Sequence, residues 1–173
     1  MLERLWAGWR SAYLDTIDDG APASGAPPAD DGRSLFEAIL ASGRPDDETL
    51  IVWRGETCFA LLNLYPYTSG HVLVLPNRAV EHLEDLDDET ADELWRTVRR
   101  AVVAVKAAYH PEGVNVGANL GRAAGAGIPD HLHVHVLPRW SGDTNFTTTI
   151  AETRVVPEPL DVTWRKITQA WPR

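Results

Sequence analysis

Three histidines alternate with apolar residues in the run His-Leu-His-Val-His-Val-Leu at positions 131–137. Successive side chains of a β-strand point to opposite faces of its sheet. The run therefore predicts a strand that carries His131, His133 and His135 on one face and apolar side chains on the other. Three polar groups in register are costly for a purely structural strand, so we interpret the histidine face as a candidate site.

A loop rich in glycine and other small residues precedes this strand. It spans residues 121–130 and follows Asn119, whose amide can also contact an anion. Backbone N–H groups approach an anion closely where side chains are small. A tight turn between strands is the more common origin of such a loop, but its position directly before the histidines favours a phosphate-binding loop.

The histidine face is compatible with two chemistries. Histidines that alternate on a strand can bind zinc, and an open coordination position then activates water. Alternatively, a neutral imidazole is the nucleophile: one ring nitrogen donates to a backbone carbonyl, and the other presents its lone pair to an electrophile. The run by itself leaves both alternatives open.

The periodicity of apolar residues and the positions of turn residues predict an α+β protein. We expect a helix at 34–42, an antiparallel meander of strands at 50–53, 57–63 and 70–75, a long helix that ends before Pro111, a strand at 114–119, and a short helix at 161–170.

Length and charge limit the domain organisation and the partners. The 173 residues fit one main domain, preceded by a docking arm at 1–17 and a flexible linker at 18–33 and followed by an extension at 146–173. The net charge of −9 opposes binding to nucleic acid or to a membrane surface. A single cysteine, Cys58, and a start without the features of a secretory signal predict a cytoplasmic protein.

The histidine run resembles the signature of the histidine triad (HIT) superfamily, His-x-His-x-His followed by two apolar residues. The likeness extends through residues 63–76 and 138–140, so that residues 34–145 resemble a complete HIT domain. Residues 5–10 and 139–146 are similar to a bacterial branch that includes diadenosine tetraphosphate phosphorylases. The resemblance implies an α+β fold with a central antiparallel sheet of about five strands and two main helices, paired into a homodimer.

The resemblance also implies a mechanism. His133 would attack the α-phosphate of an adenine nucleotide or dinucleotide to give a covalent nucleotidyl-histidine, His135 and His71 would assist at phosphate oxygens, and His131 would support them. With inorganic phosphate as acceptor the enzyme is a phosphorylase that converts diadenosine tetraphosphate to ATP and ADP, which is the activity we expect. The alternatives are a dinucleoside polyphosphate hydrolase, a nucleoside phosphoramidase, and a non-catalytic nucleotide-binding module.

The same resemblance implies a set of substrate-binding residues. Asn63 would bind the ribose, Asn119 and the loop at 125–127 would hold the α-phosphate, and Trp140 would border the second nucleotide. By position, the implied loop and base-pocket residues are Gly125, Ala126 and Gly127, and Leu35, Phe36, Ile39, Leu61 and Leu64.

The chain departs from the family pattern at positions that hold zinc in many bacterial members. Ser34 and Glu37 occupy the two positions of a Cys-x-x-Cys pair, and Ala79 replaces a further histidine. We therefore expect no structural zinc, no required cofactor, and Mg²⁺ only as a companion of the nucleotide. The loop also has Ala126 and Gly127 where relatives place a serine or glutamine, which leaves the leaving group less well defined than the nucleophile.

Overall fold

The computed structural model describes residues 32–144 and 158–173. The predicted docking arm at 1–17, nearly all of the predicted linker at 18–33, and residues 145–157 lie outside the described residues. The domain boundaries proposed from the sequence therefore stay predictions.

One sheet forms the centre of the fold. Its strands are β1 (Ile51–Arg54), β2 (Cys58–Leu62), β3 (Val72–Pro76), β4 (Gly113–Ala118) and β5 (Val134–Arg139). They lie in the order β1-β2-β3-β5-β4, and every neighbouring pair is antiparallel. The predicted α+β fold, its meander and its five-stranded antiparallel sheet are confirmed.

In the described ranges, four α-helices accompany the sheet: α1 (Leu35–Ala41), α2 (Asp46–Thr49), α3 (Asp88–Tyr109) and α4 (Leu160–Ala170). Ser34 caps α1 as predicted, by accepting the N–H of Glu37. The sequence did not predict α2, because a four-residue turn is too short to show a helical period. None of the helices in the two described ranges is long and apolar enough to cross a membrane.

The two faces of the sheet bury different hydrophobic clusters. On one face, apolar side chains of β2, β3 and β5 pack against α3 and α4. On the opposite face, Phe36 of α1 packs with Phe59, Leu61, Leu73 and Leu75. The second cluster is the smaller one, and the site lies beside it.

The last strand differs from its prediction at both ends. β5 begins at Val134 rather than at His131, and it continues through Pro138 instead of ending before it. Pro138 is tolerated because β3 pairs only with residues 134–136 of β5, so at Pro138 the strand has β4 as its neighbour on one side only. The alternation nevertheless extends before the strand, since Leu132 joins the core cluster on the α3 face.

Candidate active site

Four buried histidines come together on the α1 face of the sheet. His71 immediately precedes β3, and Leu73, two residues further along, pairs with His135 of β5. The ring centroids of His133 and His135 are 5.0 Å apart, and those of His71 and His135 are 5.1 Å apart. His131 is fully buried, and its ring meets Phe36 edge-on at 5.4 Å. Strand alternation and the β3–β5 pairing thus assemble the four predicted catalytic histidines.

A backbone carbonyl determines which nitrogen of His133 carries the proton. Nδ1 of His133 lies 2.8 Å from the carbonyl oxygen of His131. A carbonyl can only accept, so Nδ1 donates its proton and the neutral ring keeps a lone pair on Nε2. This is the tautomer that a histidine nucleophile requires.

Hydrogen bonds of the chain also orient His71 and His135. Nδ1 of His71 accepts the N–H of Tyr67 at 3.2 Å and lies 3.4 Å from Nδ2 of Asn63, so the proton of His71 is on Nε2. Nε2 of His71 lies 2.9 Å from Nδ1 of His135 and donates to it. The proton of His135 is then on Nε2, a buried atom without a hydrogen-bond partner among the described residues. Such an N–H is placed to donate to a ligand oxygen.

Burial keeps the rings of His131, His133 and His135 neutral. Desolvation lowers the pKa of His131 and His133 below the ordinary 6.5. Desolvation, followed by repulsion from His133, lowers the pKa of His135 to about 4. At neutral pH, the rings of His133 and His135 are therefore uncharged.

A cavity of about 500 Å³ opens beside these rings. This volume suits a small-molecule ligand. Among the predicted residues, those that line it are His133 and His135 together with Leu35, Phe36, Ile39, Leu61, Asn63, Leu64, Asn119, Gly125 and Gly127. The described chain thus brings most of the predicted nucleotide-binding residues to one place.

Four predicted site residues do not line this cavity: His71, His131, Ala126 and Trp140. His71 reaches it through His135, and His131 is buried behind His133. Ala126 is buried and its N–H donates to the carbonyl of Gly121, so it faces its own loop. Trp140 packs edge-on against Tyr109 of α3, with ring centroids 6.3 Å apart.

The polar residues of the cavity wall are held by nearby backbone. Oδ1 of Asn63 accepts the N–H of Tyr65 at 3.0 Å. Nδ2 of Asn119 donates to the carbonyl of Gly125 at 3.3 Å, and Gly125 has a φ of 94°, a conformation that favours glycine. Asn119 therefore braces the loop that the sequence identified as a phosphate-binding candidate.

The sequence analysis missed part of the cavity lining. Tyr65 and Tyr67, from the loop between β2 and β3, line the cavity, and so do Arg44 and Glu48, which form an ion pair of 3.2 Å. The position of the two tyrosines directly after Asn63 was an available signal. No comparable signal pointed to Arg44 and Glu48, because their ion pair depends on helix α2, which the sequence did not predict.

The positions at which the resemblance to the HIT superfamily would place a structural zinc do not fit a zinc ion here. Zinc prefers thiolate and imidazole ligands, whereas Ser34 and Glu37 offer oxygen and Ala79 offers none. Both ring nitrogens of His131 are also engaged, Nδ1 with the Ser34 hydroxyl at 2.6 Å and Nε2 with the carbonyl of Pro76 at 2.9 Å. Across residues 32–144 and 158–173, no group of three or more His, Cys, Asp or Glu side chains could hold a metal.

Comparison with known proteins identifies the family to which the chain is similar. The HIT domain model matches residues 44–142. An AP-4-A phosphorylase of Mycobacterium tuberculosis is 43% identical over 173 residues, which span 99% of this chain and 86% of that protein. The asymmetrical bis(5′-nucleosyl)-tetraphosphatase of Schizosaccharomyces pombe is 36% identical over 93 residues, covering 54% of this chain and 50% of that protein.

A solved structure agrees as well. The Zn-bound histidine triad family protein from Mycobacterium smegmatis has a TM-score of 0.64 and 28% identity, covering 79% of this chain and 91% of that one. The family-model match over residues 44–142 and the 43% identity to the Mycobacterium tuberculosis protein show that the chain belongs to the HIT domain family.

Proposed function

We propose that this protein is a nucleotidyl transferase that cleaves at the α-phosphate of adenine dinucleotides, with phosphorolysis of diadenosine tetraphosphate to ATP and ADP as its reaction. One observation carries the proposal: His133 and His135 line one cavity, the first with Nδ1 bonded to a carbonyl and the second with an Nε2–H that no group of the described chain accepts. A nucleophile and a donor therefore face the same ligand space.

In the first step, Nε2 of His133 attacks the α-phosphorus, and the bond from that phosphorus to the bridging oxygen breaks. ATP leaves with the bonding electron pair, and an adenylyl group stays on His133. The ring becomes cationic, and its Nδ1–H continues to donate to the carbonyl of His131, which favours the positive charge. The Nε2–H of His135 donates to a phosphate oxygen as negative charge develops.

In the second step, an oxygen of inorganic phosphate attacks the same phosphorus. The phosphorus–nitrogen bond breaks, its electron pair returns to His133, and ADP forms while the proton of the attacking phosphate passes to solvent. Water in place of phosphate gives AMP, the outcome of a hydrolase. The name of the Mycobacterium tuberculosis relative, which is similar along nearly the whole chain, supports phosphate as the acceptor.

The cavity walls suggest how the dinucleotide binds. The apolar side chains of α1 and β2 would enclose one adenine, Asn63 would hold its ribose, and the loop braced by Asn119 would face the α-phosphate. In this proposal the protein contributes no metal, and Mg²⁺ arrives with the polyphosphate. The single cysteine, Cys58, agrees with the cytoplasmic location that we propose.

The experiment that tests this function incubates the purified chain with diadenosine tetraphosphate, with and without inorganic phosphate, and separates the products by chromatography. We expect ATP and ADP only when phosphate is present. AMP and ATP, or two molecules of ADP, without phosphate would identify a hydrolase instead. Binding of AMP without turnover of diadenosine tetraphosphate or of a nucleoside phosphoramidate would contradict any catalytic role.

We also propose that the protein is a homodimer paired along β4. In the part of the chain that the structure describes, β4 is the sheet edge opposite β1 and pairs only with β5. Its second half is exposed, and Val116 keeps 44% of its surface accessible. An exposed apolar edge strand is a template for pairing with a second chain.

The dimer proposal predicts that Val116→Lys lowers the mass measured by light scattering from two chains to one, because the substitution places a charge on the pairing edge. Val103→Lys is the matched control, since Val103 is 49% exposed but lies on α3. A wild-type protein that is monomeric at micromolar concentration would contradict the proposal.

A further inference from the structure

A cluster of hydrogen bonds at the start of α1 surrounds His131, which has no chemical task in the proposed reaction. The Ser34 hydroxyl lies 2.6 Å from Nδ1 of His131 and also accepts the N–H of Glu37 at 3.2 Å. In return, Oε2 of Glu37 accepts the N–H of Ser34 at 2.9 Å, which completes a capping box. Ser34, Glu37 and His131 are named here the His131 clamp.

The clamp joins three separate parts of the chain. Oε1 of Glu37 accepts the N–H of Ala79 at 2.9 Å, and Nε2 of His131 donates to the carbonyl of Pro76 at 2.9 Å. Because Nε2 carries the proton, Nδ1 of His131 accepts the hydroxyl proton of Ser34. The start of α1, the segment after β3 and the segment before β5 are therefore fixed to one another.

The clamp reaches the proposed nucleophile through one carbonyl. The backbone oxygen of His131 accepts the Nδ1–H of His133, the bond that leaves the lone pair on Nε2. Phe36, in the first turn of α1, contacts both His131 at 5.4 Å and His133 at 5.6 Å between ring centroids. A shift of the His131 side chain would move this carbonyl and the ring that depends on it.

We propose that Ser34 and Glu37 are positioning residues, which hold the carbonyl of His131 so that His133 keeps the reactive tautomer and direction. The inference rests on the proposed function, since it assigns the support of that nucleophile. Partners that orient a reacting side chain act on rate through geometry, and small displacements of a nucleophile reduce the rate strongly.

The position of the clamp separates this role from substrate binding. Ser34, Glu37 and His131 do not line the cavity, and Ser34 and His131 are buried behind its wall. Loss of the clamp should therefore lower kcat by a larger factor than it raises KM. A residue that only contributed to folding would lower the amount of folded protein without changing kcat per folded molecule.

The test compares Ser34→Ala, Glu37→Gln and Ser34→Thr, the last of which keeps the hydroxyl. We expect Ser34→Ala and Glu37→Gln to lower kcat by about 10- to 100-fold, and Ser34→Thr to retain most of it. The ring ¹⁵N chemical shifts of His133 should move from the Nδ1–H form towards a mixture of tautomers in the first two variants. Thr163→Ala is the matched control. It also removes a buried hydroxyl, which donates to Glu158 at 2.8 Å, but Thr163 lies on α4, on the other face of the sheet.

Three outcomes would overturn the inference: unchanged kcat in Ser34→Ala, unchanged ¹⁵N shifts of His133 in that variant, or a loss of kcat in Thr163→Ala equal to that in Ser34→Ala. Failure of the proposed function looks different, because the wild-type protein would then lack transfer activity. The ¹⁵N measurement needs no turnover, and it tests the clamp in that case too. If Ser34→Ala does not fold, the test rests on Glu37→Gln, for which an unchanged kcat would overturn the inference, and on Ser34→Thr, which should keep most of the wild-type kcat.

Discussion

The hydrogen bond from Nδ1 of His133 to the carbonyl of His131 decides the chemistry of the candidate site at the scale of single residues. Imidazole has two similar nitrogens, and the protonated one has no free lone pair. Here the carbonyl of His131 accepts the proton of Nδ1, so the lone pair of Nε2 is free in a ring that lines the cavity. His135 shows the complementary state: its proton is on Nε2, which has no hydrogen-bond partner in residues 32–144 and 158–173.

His133→Gly should lower kcat by at least about two orders of magnitude, because it removes the atom that forms the covalent intermediate. An adenosine phosphorimidazolide, which already has an imidazole on the α-phosphorus, should restore ADP formation in this variant. The measurement is chromatography of the products, with His82→Gly, an exposed histidine, as control. Wild-type activity in His133→Gly would exclude the covalent mechanism.

Burial of neutral histidines also predicts how stability changes with pH. The folded state resists protonation of His135, whose pKa is about 4, while the unfolded chain binds a proton near the ordinary 6.5. The unfolded state therefore gains protons first, and stability falls as the pH falls from 6.5 towards 4. His131 and His133 change in the same direction.

In urea unfolding, the protonation behaviour of His135 should lower the free energy of unfolding by an amount on the order of 1 kcal/mol between neutral pH and about pH 5. This window lies above that of carboxylates such as Glu93, whose ordinary pKa is 4.5. His135→Asn should weaken the pH dependence of stability more than the matched control His82→Asn, a substitution at an exposed position. A wild-type stability that does not vary in this range would contradict the description of buried neutral rings.

At the scale of elements, the turn into β3 depends on a close approach to α3. Gly70 has a φ of 81°, and a Cβ there would lie 2.8 Å from the Tyr109 ring and 3.1 Å from Pro138. Only glycine combines this backbone conformation with this contact. Because His71 is the next residue, the same turn places the ring that orients His135.

Gly70→Ala should lower the free energy of unfolding by roughly 1–3 kcal/mol through strain and collision with Tyr109, and it should also lower kcat by displacing His71. Gly117→Ala is the matched control, since its Cβ would meet nothing within 4 Å. The measurements are urea unfolding and turnover of diadenosine tetraphosphate. Equal stability of the two variants would show that the turn tolerates a side chain.

For the whole molecule, the C-terminal helix is part of the core. The match to the HIT domain ends at residue 142, yet Ile167 of α4 is fully buried in the cluster beneath α3. Trp164 donates its Nε1–H to the carbonyl of Ile51 at 2.7 Å, and Glu158 accepts from Tyr109 and pairs with Lys166. The described part of the predicted extension thus completes the face of the sheet opposite the site.

Ile167→Ala should lower the free energy of unfolding by about 2–5 kcal/mol, because it leaves a cavity in this core. Turnover per folded molecule should be unchanged, since α4 lies on the other face from the histidines. Val103→Ala, at an exposed position, is the control. The two variants are compared by urea unfolding, and similar midpoints would mean that α4 contributes little to the fold.

Much of the fold and the grouping of the histidines on one face were predictable from the sequence alone. The alternation of three histidines assigns them to one face because side-chain direction in an extended chain is a local property. The assignment to this face is correct even for His131, although the strand itself begins only at Val134. The five strands were found for the same reason, while α2 was too short for a period to appear.

Tertiary structure alone decided the protonated nitrogens, the cavity walls and the support of His133. Each depends on contacts between distant positions: Ser34 bonds His131, which is 97 residues away, and His71 bonds His135, which is 64 residues away. The same folding placed Trp140 against Tyr109 instead of in the cavity. A sequence pattern records which groups are available, whereas hydrogen-bond partners and burial arise only when the chain brings remote segments together.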